Sequence, residues 1–112
     1  MKNVTLRRNN RKVGEAIRCD TMLKRFLGLM FRKEQSAVII LPYESRALAT
    51  LHTFFMRFSI DVAWLDKDKR TVDVRNGIKP CRQMIVPKGK AKYIIEVPAG
   101  NKLKMSDRFD FA

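Results

Sequence analysis

The run Ile60-Asp61-Val62-Ala63-Trp64-Leu65 is followed by Asp66-Lys67-Asp68-Lys69 and then by Arg70-Thr71-Val72-Asp73-Val74-Arg75. The first six residues are apolar except for Asp61 and have the length of a strand. The charged tetrapeptide is a turn by composition. The third segment alternates, with Val72 and Val74 inward against Thr71, Asp73 and Arg75, the period of two that a half-buried strand requires. Strand, turn and strand follow one another with no space for a crossover helix, which points to antiparallel β-structure.

Working outward, the same grammar recurs. Ala37 to Leu41 is a short apolar strand closed by Pro42, and Leu51 to Met56 reads as another. Residues 43–50 read as a loop or a single helical turn around Arg46. On the C-terminal side Asn76-Gly77 turns the chain, and Met84 to Val86 precedes the turn Pro87-Lys88-Gly89-Lys90. Tyr93 to Val97 is a strong strand with Glu96 expected to face solvent. Gly100 to Met105 is a further turn or short helix, and Arg108 to Phe111 a last strand. At the other end Val4 to Arg8 and Lys12 to Cys19 form a hairpin around Asn9-Asn10.

Helical spacing occurs once. Met22, Phe26 and Met30 with Leu23 and Leu27 make a stripe between an N-cap at Asp20 and a C-terminal Gly28, which predicts a helix near residues 21–27. Seven to nine short strands with turn signals about every ten residues predict a mainly β fold, α+β at most. The expected form is a compact antiparallel sandwich or barrel with one short helix. One domain covers residues 1–112, its N-terminal hairpin at residues 4–19.

Composition removes much chemistry. The 112 residues include one histidine and two cysteines, and Cys19 and Cys81 stand 62 positions apart. Zinc sites need three or four ligands at regular spacings, so no metal is expected. Both cysteines read as small buried hydrophobes. Nucleophilic catalysis would have to enlist His52, and no Gly-x-Ser-x-Gly elbow accompanies it. The five glycines do not cluster, which excludes Walker and Rossmann phosphate loops, and no cofactor is expected. No apolar run approaches the ~20 residues of a membrane span, and residues 1–12 lack the apolar stretch of a signal peptide. A cytoplasmic location is the expectation.

The net charge is +13, and its distribution is uneven. Residues 1–33 carry ten basic and two acidic groups, residues 34–76 six of each, and residues 77–112 eight basic and three acidic. The excess therefore sits at the two chain ends. Arg7, Arg8, Arg11 and Lys12 at the hairpin tip, with Lys88, Lys90 and Lys92, are candidates for nonspecific nucleic-acid or other polyanion binding.

Several segments, in order, resemble the bacterial and archaeal family known as domain of unknown function 192. They are Gly28-Leu29-Met30-Phe31-Arg32, then Phe55 to Val62, Leu65-Asp66, Pro80, Ile94 to Gly100, and Asp107. The resemblance runs from about residue 19 to residue 112. It implies a compact, mainly antiparallel β domain of jelly-roll-like type and no established activity. Three departures stand out. Ala37-Val38-Ile39-Ile40-Leu41 stands where family members usually carry a Gly-Met-Leu-Phe-like strand. Phe55-Met56-Arg57-Phe58-Ser59 occupies the place of a family Trp-Met-Lys-Asn-Thr segment, keeping the Met and the cation but losing the amide. Ser106-Asp107 stands where Gly-Asp is common. Many relatives carry an export signal or anchor, which is not read here.

Phe54 to Trp64 concentrates three phenylalanines, a methionine and a tryptophan. Alternation puts Phe54, Met56 and Phe58 on one face and Phe55 and Arg57 on the other. Asp61 breaks the apolar run, where a buried unpaired charge would cost several kcal/mol. It reads either as a structural Asp that caps a turn or pairs with Arg57, or as part of a polar site with Arg32 and His52. The candidate pocket or surface is thus Arg32, His52, Phe55, Met56, Arg57, Asp61 and Asp107. The expected function is a non-enzymatic binding module using an apolar–basic surface for a protein or small-molecule partner. The alternatives are polyanion binding through the basic ends and an enzyme with a shallow Asp/Arg/His pocket for a small anionic or carbohydrate substrate.

Overall fold

A computed structural model describes residues 3–21, 29, 33–53 and 55–112. Seven strands carry the fold. They are β1 (Asn3–Arg8), β2 (Arg11–Cys19), β3 (Ser36–Ser45), β4 (Ile60–Leu65), β5 (Thr71–Ile78), β6 (Ala91–Pro98) and β7 (Phe109–Phe111). They form one sheet in the order β5-β4-β6-β3-β2-β1-β7. Every pairing is antiparallel except that of β2 with β3. That parallel pair needs a crossover between Cys19 and Ser36. The helix expected near residues 21–27 and its Gly28 terminus lie, apart from Thr21, outside the described residues.

The sheet curls into a half-barrel. Phe111 on β7 meets Tyr93 on β6 edge-on, ring centroids 5.3 Å apart. Lys69, in the turn before β5, reaches Asp110 at 3.2 Å and lies over the Phe111 ring. Two apolar layers result. The concave face gathers Val4, Leu6, Val38, Leu65, Ile95, Val97, Leu103 and Phe109. The outer face gathers Ile17, Ala37, Ile39, Ile60, Val62, Trp64 and Ile94, under Leu29, Ala49, Met56 and Ile85 from the loops. All six residues of β4 are buried because both of its faces are covered. Trp64 is fully buried, and its indole N–H donates to the Ala49 carbonyl at 2.8 Å, as a buried indole requires.

The N-terminal hairpin forms as expected, with Asn9 and Asn10 both at positive φ (52° and 65°) in its two-residue turn. Five other expectations are corrected. Asn76-Gly77 does not end β5 but forms a bulge within it. Ile60 pairs with Ile78 and Val62 with Arg75, so an extra residue is accommodated opposite Asp61, and Gly77 supplies φ +68°. A second irregularity sits at Val72, which places Val72 against the outer cluster and Val74 against the concave one. Pro42 does not close β3: the strand continues to Ser45, its register with β6 interrupted between Ile40 and Ser45. Among the described residues, Leu51 to Met56 and Met84 to Val86 form no strand, and only Leu51 and Ile85 bridge, because the neighbouring backbone groups serve a loop contact described next.

Candidate functional site

Two loops, residues 51–59 and 79–86, meet on the outer side of the sheet and are tied together at Thr53. The Thr53 N–H donates to the Arg82 carbonyl at 2.8 Å, and the Thr53 carbonyl accepts from Cys81 N–H at 2.9 Å. Its hydroxyl donates to the Lys79 carbonyl and accepts from Arg82 N–H, each at 2.8 Å. Thr53 is itself buried, so these bonds hold the rim in an environment where leaving them unmade would be costly. Phe55, Cys81 and Met84 stand on this rim with positive φ of 61°, 65° and 56°. Left-handed backbone at non-glycine residues costs on the order of 1 kcal/mol each and persists only where surroundings enforce it. Phe55 is 60% exposed and Met84 74%.

For its four described residues the face assignment made from alternation survives although the strand does not. Met56 is buried and Phe58 packs against the outer cluster, whereas Phe55 and Arg57 are exposed. Phe54 and Arg32 lie outside the described residues. His52 is half-buried on the same loop. Cys19 is buried, but Cys81 is exposed, a correction that follows from its place in the rim.

Asp61 is elsewhere, buried at the start of β4. One carboxylate oxygen accepts from Gly77 N–H at 2.8 Å, the other from Asn101 and Lys102 N–H at 2.8 and 3.0 Å. Its bonding partners are main-chain groups of the β5 bulge and of the loop after β6, neither Arg57 nor His52. Asp107 is buried too. It accepts from the Arg8 guanidinium at 2.8 Å, from the Asn9 side chain at 3.0 Å and from Lys104 N–H at 2.8 Å. Burial pushes its pKa upward, but the Lys104 N–H, Asn9 and Arg8 together outweigh burial and hold it below the ordinary aspartate value.

Glu96 does not face solvent. It is 5% exposed on the outer face of β6, in register between Ala37 of β3 and Val62 of β4. Burial alone raises its pKa from 4.5 to about 7, as expected where an apolar environment disfavours the charged form. Asp73 is likewise buried rather than turned outward, and accepts from Val74 N–H at 2.8 Å and Lys88 N–H at 3.0 Å.

Cations collect in two places. Beside the rim, Arg75, Asn76, Lys79, Arg82, Ile78 and Ile85 line a cleft of about 440 Å³. At the hairpin end, Arg8, Asn9, Arg11, Lys12 and Val13 border a depression of about 490 Å³. Arg7, Arg11, Lys12, Lys88 and Lys90 are exposed, whereas Lys92 lies over the Tyr93 ring, 5.7 Å from its centroid. Arg8 differs from its neighbours: it is spent on Asp107 and on the carbonyls of Asn101 and Lys102.

The family model described as Uncharacterized ACR, domain of unknown function 192, matches residues 4–106. The chain belongs to this family. The match takes in the N-terminal hairpin as well as the segments from residue 19 onward. Among curated members, a UPF0127 protein of Pyrococcus horikoshii is 47% identical over 97 residues, 86% of this chain and 83% of that one. A UPF0127 protein of Pyrococcus furiosus is 50% identical over 82 residues, 72% of this chain and 69% of its own length. Two solved bacterial structures share the fold. A protein of unknown function from Novosphingobium aromaticivorans superposes with a TM-score of 0.73 at 18% identity, covering 96% of this chain and 83% of that one. A Sinorhizobium meliloti protein, provisionally named a transcription regulator, gives 0.81 at 15% identity, covering 97% and 92%.

Within this domain of unknown function 192 chain, the rim residue Met84, the tie residue Thr53 and the cleft cations Arg75, Lys79 and Arg82 are not singled out by sequence reasoning. Thr53 sits in an apolar run that reads as strand, and nothing local marks it as a tie. The three cations come from β5 and the loop that leaves it, and only the bulge at Asn76-Gly77 turns them into one lining. The unusual density of Phe and Met around residue 55 is the one signal that leads to the rim.

Proposed function

We propose that this protein is a non-enzymatic binding module whose partner engages the apolar–basic rim formed by Phe55, Met84 and Arg57. One observation carries the reading. Two large apolar side chains are held out toward solvent on backbone that is both strained and pinned through Thr53. Scattered exposed apolar residues need no explanation. Exposure on a rigid, enforced backbone is different, because an ordered apolar group loses little further entropy on binding. Arg57 beside it, exposed in the same loop, favours a partner with an anionic edge.

The test is co-purification from native lysate with full-length protein, with and without nuclease, comparing wild type with Phe55→Ser/Met84→Ser. The expected result is a nuclease-resistant partner retained by wild type and lost with the double variant. An identical retained set for both proteins overturns the reading.

A second reading has its own observation. The depression at the hairpin tip is bordered by Arg11 and Lys12, beside an Arg8 already paired with Asp107, and among the described residues no carboxylate lines it, which favours nonspecific polyanion binding by the basic end of the chain.

A further inference from the structure

The cleft beside the rim differs from the rest of the basic surface in being built. Its three cations have different degrees of freedom, and each is placed by something identifiable. Arg75 donates to the Val86 carbonyl at 2.5 Å and lies over the Trp64 ring, 5.8 Å from its centroid. Lys79 and Arg82 have their main chains fixed to Thr53, while their side chains make no ion pair among the described residues. Among the described residues, no carboxylate lines the cleft. The nearest to Arg75 is Asp73, 3.8 Å from its Nε, and that carboxylate already accepts from two main-chain N–H groups.

Gathering three positive charges around one concavity raises their mutual repulsion, which a bound anion would relieve. Fixing the backbone of Lys79 and Arg82 in advance lowers the ordering cost of binding. A guanidinium already oriented by a carbonyl and a ring presents its remaining N–H groups in the planar fork that suits phosphate oxygens. Ile78 and Ile85 supply the apolar part of the lining. A volume of about 440 Å³ lies within the ~300–1,000 Å³ range of small-molecule sites and exceeds what a bare inorganic ion fills.

From these features we infer that the cleft binds a phosphate monoester of about nucleotide size, its terminal phosphate among Arg75, Lys79 and Arg82 and its less polar body over Ile78 and Ile85. A doubly charged terminal phosphate matches three cations better than a phosphodiester does. The same group is offered by a free mononucleotide and by the 5′ end of a single-stranded nucleic acid. This goes beyond the binding role of the rim and depends on different side chains.

The experiment is calorimetric titration of the full chain at low salt with four probes: AMP, adenosine, a 5′-phosphorylated DNA hexamer and the same hexamer without the phosphate. AMP is expected to bind at least about tenfold tighter than adenosine, a difference of ~1.4 kcal/mol. Lys79→Ser/Arg82→Ser should weaken AMP by about tenfold or more while leaving the urea midpoint unchanged, since neither side chain holds the fold together. Arg11→Ser/Lys12→Ser should leave AMP binding within about twofold. Preference for the phosphorylated hexamer over AMP would support the site and assign the strand end as its source; preference for AMP would support it and assign the free nucleotide. Absence of AMP binding at millimolar concentration, equal affinity for the two hexamers, or equal losses from the cleft and hairpin variants would each overturn the inference. Phe55 and Met84 are untouched in these variants, so this site and the rim can fail independently.

Discussion

The guanidinium of Arg8 grips the carboxylate of Asp107 at 2.8 Å, across ninety-nine residues of chain. The same guanidinium also donates to the carbonyls of Asn101 and Lys102. It thereby fastens the loop after β6 onto the β1 end of the sheet, next to the short edge strand β7. A cation that looks like one of four equivalent charges at a hairpin tip is therefore a closure element of the half-barrel.

Arg8→Ala should accordingly destabilise the protein by about 2–3 kcal/mol, the range for charge-assisted hydrogen bonds with a buried partner. Arg7→Ala, at an exposed neighbour, should cost less than about 0.5 kcal/mol. Urea midpoints at equal slope report both. Because the Asp107 pKa lies below the ordinary value of 3.8, the stability it contributes is complete above that value. It is lost as pH falls through the lowered pKa. Equal midpoints for Arg8→Ala and wild type would remove the closure role.

Glu96 behaves in the opposite sense. Its folded pKa of about 7 lies above the unfolded value of 4.5, so between these two the folded state holds more protons. Stability is full below pH 4.5 and declines as pH rises toward and through 7. The full difference amounts to about 3 kcal/mol, from ~1.4 kcal/mol per pKa unit. Glu96→Gln should flatten this dependence, gaining on wild type as the pH is raised from 4.5 to 8.5. Parallel pH–stability curves for the two proteins would show that the carboxyl is not held neutral.

The polyanion reading is tested without touching Arg8, whose loss would confound folding with binding. Replacing Arg7, Arg11 and Lys12 with Ser should lower the slope of log affinity for duplex DNA against log salt by about two to three units, roughly 0.9 for each phosphate that is no longer neutralised. An unchanged slope would reduce the hairpin tip to a solvated surface.

Local sequence pattern carries structure in some places and not in others. Alternation and turn composition locate the hairpin of β1 and β2, the Ile60 to Arg75 pair and the strand around Tyr93. There each residue's partner is close in sequence or its period is unbroken. The bulge at Asn76-Gly77 reads as a turn because the two uses demand the same residues. Only Asp61 opposite, accepting the Gly77 N–H, distinguishes them. Glu96 reads as exposed because a glutamate in a strand usually faces water. Its burial depends on what covers the outer face from distant segments such as Leu29 and Met56. Leu51 to Met56 has the composition of a strand, but Thr53 commits its main chain to the 79–82 loop. In each case the deciding contact is nonlocal.

Asp61 gives the sharpest separation of structural from functional demands. Both its oxygens are engaged by main-chain N–H groups, from Gly77 on one side and from Asn101 and Lys102 on the other. Asparagine keeps the shape but turns one of those acceptors into an amide donor facing an N–H. Whichever way the side chain flips, at least one part-buried N–H loses its partner and the charge assistance disappears from all three. The expected cost is about 2–4 kcal/mol, a large share of the ~5–15 kcal/mol available to a small domain. Arg57→Ala, at an exposed rim position, should cost less than about 0.5 kcal/mol. Urea unfolding of both variants beside wild type, compared at equal slope, decides the matter. If Asp61→Asn proves as stable as the parent, the three hydrogen bonds do not hold the bulge and the 99–102 loop together. The carboxylate would then have to be explained by a ligand instead.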